Sequence, residues 1–84
     1  MKLCFTDSSW SEYLYWQQTD KKVLKKINQL IKEIKRTPFE GLGKPEALKY
    51  ALSGCWSRKI TDEHRLVYEV TRYSIVVVSC KYHY

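Results

Sequence analysis

The chain is poor in the residues that break, bridge or anchor a polypeptide: its 84 residues include three glycines, two prolines, three cysteines and one methionine. With so little Gly and Pro and no low-complexity run, there is no long linker, no internal repeat and no disordered composition. Cys4, Cys55 and Cys80 are odd in number and widely spaced, with no Cys-x-x-Cys pair. A disulfide framework and a zinc site are therefore not expected, and reduced, space-filling thiols in a reducing compartment are. No stretch approaches the roughly 18 consecutive apolar residues of a membrane span. The opening Met1-Lys2-Leu3-Cys4-Phe5-Thr6-Asp7 is too soon acidic for a signal peptide. One soluble, cytoplasmic domain over residues 1–84 is expected.

What is abundant is aromatic and basic. Three Trp, seven Tyr and two Phe supply the large side chains that a small core needs, because a chain of this size buries only about 60% of its unfolded surface. The net charge of +6 is concentrated. Residues 21–36 carry Lys21, Lys22, Lys25, Lys26, Lys32, Lys35 and Arg36 against Glu33 alone, while the basic and acidic residues elsewhere cancel. In the same segment Val23, Leu24, Ile27, Leu30, Ile31 and Ile34 recur at helical spacing. The spacing predicts a helix with one buried face and one lysine ridge. The ridge is either a solvating face or an electrostatic footprint for phosphates or an acidic partner. Without aromatic anchors on the apolar face, a membrane-surface helix is disfavoured.

Before this helix the pattern predicts a short strand at Leu3-Cys4-Phe5 and a first helix to about Gln18. Ser9 with Glu12 has capping-box spacing, Thr6 and Asp7 being alternatives. Trp10, Tyr13, Leu14 and Gln17 share one stripe of it, and Thr19-Asp20 caps the second helix. Residues 37–50 read as a loop with at most one helical turn. Segments 54–61, 64–71 and 74–82, rich in Val, Ile, Tyr and Trp, predict three strands of a meander. The expected class is α+β, two N-terminal helices packed on one face of a small antiparallel sheet.

Period-two alternation divides each strand. Trp56, Arg58 and Ile60 separate from Cys55, Ser57 and Lys59; Leu66, Tyr68 and Val70 separate from Arg65, Val67 and Glu69. In the last strand Val76, Val78, Cys80 and Tyr82 oppose Ile75, Val77, Ser79, Lys81 and His83. Lys59, Arg65, Lys81 and His83 then gather on the face away from the helices. Glu46 and Lys49, three apart, point the same way on a helical turn. Glu46, Lys49, Lys59, Arg65, His83 and Tyr84 together form an acid–base set in cationic surroundings, the parts that RNA cleavage by its own 2′-hydroxyl requires without a metal. Plainer roles compete: a solvated Glu46, an Arg65–Glu69 pair, a frayed His83, His64 as a surface or packing residue, and Trp10, Trp16 and Trp56 as core.

Longer runs are more specific. Arg36-Thr37-Pro38-Phe39-Glu40-Gly41, Gly43-Lys44-Pro45-Glu46, Leu52-Ser53-Gly54, Trp56-Ser57-Arg58, Glu63-His64-Arg65-Leu66-Val67-Tyr68 and the final Tyr82-His83-Tyr84 closely resemble the YoeB toxin family of RelE-like toxins, over essentially the whole chain. The resemblance implies a microbial-ribonuclease-like α+β fold. It implies a ribosome-dependent endoribonuclease, without cofactor, that cuts messenger RNA in the A site of the 70S ribosome. It also implies neutralisation by a YefM-like antitoxin, repression of operator DNA through the toxin–antitoxin complex, and a homodimer. Carried over by position, it makes Glu46 the general base, His83 the general acid and Arg65 the stabiliser of the transition-state phosphate. Lys49 and Lys59 assist, and Tyr84 helps hold the substrate nucleotide. The ridge residues Lys21, Lys22, Lys25, Lys26 and Lys32 would dock on ribosomal RNA. Three positions depart from the family's pattern. Lys59 stands where Arg is more frequent, losing a bidentate fork; Cys55 replaces a larger residue and Lys81 an arginine. The alternatives are a non-catalytic RelE- or ParE-like toxin, a basic ribosome- or nucleic-acid-binding module, and a DNA-binding repressor, for which no helix-turn-helix pattern exists.

Overall fold

Asp20 decides where the two helices part. Its backbone is extended, its carboxylate accepts from the N–H groups of Lys22 and Val23, and its own N–H donates to the Trp16 carbonyl. One residue thus ends α1 (Asp7–Thr19) and starts α2 (Lys21–Arg36), satisfying donors that a helix end leaves open. The structure, a computed structural model, describes residues 1–82.

In α2, Val23, Ile27, Leu30, Ile31 and Ile34 are buried, as their spacing predicts. Burying each such side chain is worth about 1.5–3 kcal/mol relative to exposure. The buried face of α1 is not the expected stripe. Ser9 and Trp16 are enclosed, while Trp10 stays 46% exposed and Leu14 is also exposed. The reason is polar. Thr6 is the cap, accepting from the Ser9 N–H at 3.1 Å. Ser9 is thereby free to donate its hydroxyl to the Val77 carbonyl at 2.7 Å, and the Trp16 indole donates to the Cys80 carbonyl at 2.9 Å. Two side-chain bonds to the sheet thus set the rotation of α1.

The five strands are β1 (Lys2–Phe5), β2 (Glu46–Ala47), β3 (Cys55–Lys59), β4 (Arg65–Val70) and β5 (Ser74–Ser79), in the order β1-β5-β4-β3-β2. The meander β3-β4-β5 is antiparallel and β2 joins β3 antiparallel. β1 pairs with β5 in parallel, so the α+β sheet is mixed. Alternation reports which face a residue takes and is silent on strand direction, so the parallel edge was invisible in the sequence. The core lies between helices and sheet, around Trp16, Ile27, Leu30, Ile34, Leu66, Tyr68, Ile75 and Val77.

Two features correct the face assignment. Between β4 and β5 the register shifts at Val67/Tyr68: Val67 pairs with Ser79 and Tyr68 with Val77. The extra residue on β5 is a bulge, which reverses the phase of alternation beyond it. Ile75 and Val77 therefore face the helices, and so does Cys80, all three buried. Lys81, past the end of β5, lies 3.8 Å above the Tyr15 ring of α1 rather than on the opposite sheet face. The second feature is Arg58, which is fully buried. Its guanidinium donates to the carbonyls of Thr37 (2.5 Å), Glu40 (2.9 Å) and Leu42 (2.8 Å) and to the Tyr68 hydroxyl (3.1 Å), which in turn donates to the Pro38 carbonyl (2.6 Å). The loop after α2 is wrapped around a cation. Gly43 closes that loop at φ +86°, where an added Cβ would meet Leu30 Cδ2 at 2.8 Å and Arg58 Cβ at 3.0 Å.

Candidate functional site

The open face of the sheet is ordered by its ladder. Glu46 pairs with Ser57, Ser57 with Val67 and Val67 with Ser79, making one row across four strands. One step further along, on the same face, Lys59 pairs with Arg65. Strands lie about 4.8 Å apart and same-face neighbours about 6.7 Å along a strand. At those ideal spacings the Glu46 backbone falls about 8 Å from that of Lys59 and about 12 Å from that of Arg65. One carboxylate and two cations thus stand on one face, with buried Ser57 and Val67 in the row beside them.

Glu46 is exposed and sits on β2, not on a helical turn. Lys49, also exposed, follows in extended conformation before the short 3₁₀ turn Tyr50–Leu52. The helical spacing expected for the pair does not form, because Leu48 continues the ladder by donating its N–H to the Cys55 carbonyl. Both nevertheless line one pocket of about 350 Å³, with Ala47, Leu48, Tyr50 and Leu52.

Lys59 is 42% exposed at its side chain and holds Asp62 at 2.6 Å. That contact, with Arg65 nearby, keeps the Asp62 carboxyl below its ordinary range. Lys59 also lines a pocket of about 280 Å³ with Lys26, Gly43, Lys44 and Ile60. Of the ridge residues, Lys21, Lys22, Lys25 and Lys32 are exposed along α2 and Lys26 is half-buried. The structure thus puts Lys26 on the same pocket as Lys59 and leaves the other four exposed along the helix. Among the described residues, the half-buried Arg65 forms no ion pair with Glu69. His83 and Tyr84, expected as acid and nucleotide holder, lie outside the described residues. Among the described residues, no three His, Cys, Asp or Glu side chains gather where they could hold a metal ion.

Three residues had little or no signal in the sequence. Tyr50 is 92% exposed, has φ +58° and stands in the Glu46 pocket; an aromatic in a loop, between Lys49 and Ala51, was its only sign. Arg58 resembled any strand cation. His64, expected only as a surface or packing residue, is buried against Trp16 at 4.7 Å between ring centroids and accepts a hydrogen bond from the Tyr82 N–H at 2.7 Å. The cysteines are free; burial pushes the Cys55 thiol up and the Cys80 thiol up to about 12.

A two-helix layer over a mixed sheet with this open face defines a class of small bacterial toxins. The YoeB/ParE toxin from Agrobacterium tumefaciens superposes with a TM-score of 0.98 at 53% identity, each chain fully covered. A heterotetrameric YoeB–YefM toxin–antitoxin complex from Staphylococcus aureus supplies a second match, with a TM-score of 0.92 at 50% identity over 100% of this chain and 98% of that one; that organism's toxin also forms a YoeB dimer. In sequence, Toxin YoeB of Escherichia coli K12 is 63% identical over all 84 residues of both chains. Residues 5–84 match the family described as YoeB-like toxin of bacterial type II toxin–antitoxin system. The chain belongs to that family and is a toxin of a type II toxin–antitoxin system.

Proposed function

We propose that this toxin is a ribosome-dependent endoribonuclease that cuts messenger RNA in the ribosomal A site and so stops translation. The observation that carries the reading is the ladder register that sets Glu46 on the same open face as Lys59 and Arg65. In the reaction Glu46 takes the proton of the 2′-hydroxyl, whose oxygen attacks the adjacent phosphorus. Arg65, with Lys59 and Lys49, stabilises the crowded anionic phosphorane. The bond to the 5′ oxygen breaks as His83 protonates it, leaving a 2′,3′-cyclic phosphate and a 5′-hydroxyl. Tyr84 holds the nucleotide, and exposed Tyr50 is a second stacking surface. The nucleophile belongs to the substrate, so side chains suffice.

The lysine ridge docks on ribosomal RNA, where its cations displace counterions. The whole chain acts as one toxin domain in the cytoplasm. A YefM-like antitoxin neutralises it, a homodimer is the free form, and the complex with the antitoxin represses operator DNA. The partners are supported by the S. aureus toxin–antitoxin complex and dimer.

The deciding experiment is cleavage of a defined message by purified protein, with and without programmed ribosomes. Cutting only with ribosomes, lost in His83→Gln, is the expected result. Intact message in both conditions, with ribosomes still bound, would favour a non-catalytic ribosome-binding toxin.

A further inference from the structure

Beyond β5 the chain leaves the sheet, yet its peptide groups are held by side chains and backbone from elsewhere in the molecule. The Cys80 N–H donates to Glu12 at 2.8 Å and the Cys80 carbonyl accepts from Trp16. The Tyr82 N–H donates to His64 Nδ1 at 2.7 Å and its carbonyl accepts from the Arg65 N–H at 3.2 Å. Tyr82 itself has φ +63°, a left-handed conformation that is unfavourable for a non-glycine residue and persists only when its surroundings enforce it.

The enforcing group is His64. A backbone N–H can only donate, so Nδ1 must be the bare nitrogen and the ring proton of the neutral form sits on Nε2. The ring cannot turn away: it stands edge-on to Trp16 at 4.7 Å and beside the Tyr82 ring at 5.4 Å. Its own backbone is fixed as well. The His64 N–H donates to Thr61 Oγ1, and the His64 carbonyl accepts from the N–H groups of Ile60 and Thr61.

We infer that His64 is a positioning residue: its Nδ1 lone pair holds Tyr82 in the left-handed turn from which His83 and Tyr84 follow. Through the Arg65–Tyr82 backbone bond, the same contact ties that turn to the strand bearing Arg65. The inference rests on the proposed cleavage by His83 for its consequence, and on the geometry at Tyr82 for its substance.

The test compares His64→Asn with His64→Leu. The Asn carbonyl oxygen falls near the place of Nδ1 and can accept from Tyr82, whereas Leu fills apolar space and cannot. Both lose the ring contact with Trp16, and Asn, the more polar, is the less stable in this buried place. In single-turnover cleavage on saturating programmed ribosomes, His64→Leu is expected to be slower by about tenfold to a hundredfold, as for a misplaced reacting group. Its half-saturating ribosome concentration should be unchanged. His64→Asn should stay within about threefold of the parent despite its lower melting temperature. Activity that instead follows melting temperature across the two variants overturns the positioning role. Hydrogen exchange of the Tyr82 amide, read by NMR on the same proteins, separates this inference from the cleavage reading. Protection in the parent and His64→Asn, lost in His64→Leu, supports the anchor even if no message is cut. Equal exchange in all three refutes it.

Discussion

Arg58 and Lys59 are adjacent cations on one strand, and the two sides of the sheet put them to opposite use. Arg58 faces the helices, is wholly enclosed and gives its donors to three loop carbonyls and a phenol. Lys59 faces outward, reaches Asp62 and lines a solvent-open pocket with Lys26. A buried cation must be satisfied by fixed partners and becomes part of the fold. An exposed one is exchangeable, and its charge is free to meet an anion. Charge on the helix side of this sheet is therefore structural, and the proposed chemistry falls to charge on the open side.

Variants can break that comparison. The largest effects belong to the open face: Glu46→Ala and Arg65→Ala should lower ribosome-dependent cleavage by about 10²–10⁴-fold. Stability for exposed Glu46 should stay within about 0.5 kcal/mol of the parent. Rate and urea unfolding measured on the same samples check both halves, and an unfolded Glu46→Ala would erase the distinction. On the helix side the effect reverses in kind. Arg58→Leu strands the carbonyls of Thr37, Glu40 and Leu42 and should cost about 3–5 kcal/mol, seen as a large drop in the urea midpoint. Lys59→Ala, one residue away, should cost under about 1 kcal/mol, because its ion pair is exposed, while still slowing cleavage.

The ridge sharpens the same contrast over a longer distance. Reversing Lys25, Lys26 and Lys32 to Glu should weaken ribosome binding at least about tenfold and flatten its salt dependence by about 2–3 in log–log slope. Equal co-sedimentation of parent and variant across a salt series would leave the ridge a solvating face. A last effect, confined to alkaline pH, belongs to Cys80. Its thiol ionises near the ordinary 9.0 when unfolded and at about 12 when folded, so above pH 9 the unfolded state binds fewer protons. Stability should then fall as pH rises from 9 to 12, by at most about 1.4 kcal/mol per pH unit from this group. Cys80→Ala should show a shallower slope in parallel unfolding curves.

The sequence resolved α2 well because a single amphipathic period fixes its buried face. It resolved α1 less well: Trp10 was expected inside and is exposed, since the rotation of that helix is set by Ser9 and Trp16 reaching carbonyls of Val77 and Cys80. The candidate site was partly legible in the same way. Lys59 and Arg65 share a face by alternation alone, but Lys81 does not join them, because a bulge on β5 and the end of that strand interrupt the period. Glu46 was singled out for its chemistry, and its place came from pairing with Ser57 rather than from a helical turn.

What the sequence determined by itself is what local periodicity and composition carry: the helix pair, the meander, the concentration of charge on residues 21–36 and the motifs of a YoeB-like toxin. What only the tertiary structure decided depends on contacts between residues far apart in the chain. These are the parallel edge strand, the loop closed around Arg58, the pocket shared by Lys26 and Lys59 and the hydrogen bond from Tyr82 to His64. The physical reason is that a hydrogen bond between distant segments leaves no period in the sequence; only the fold brings its donor to its acceptor.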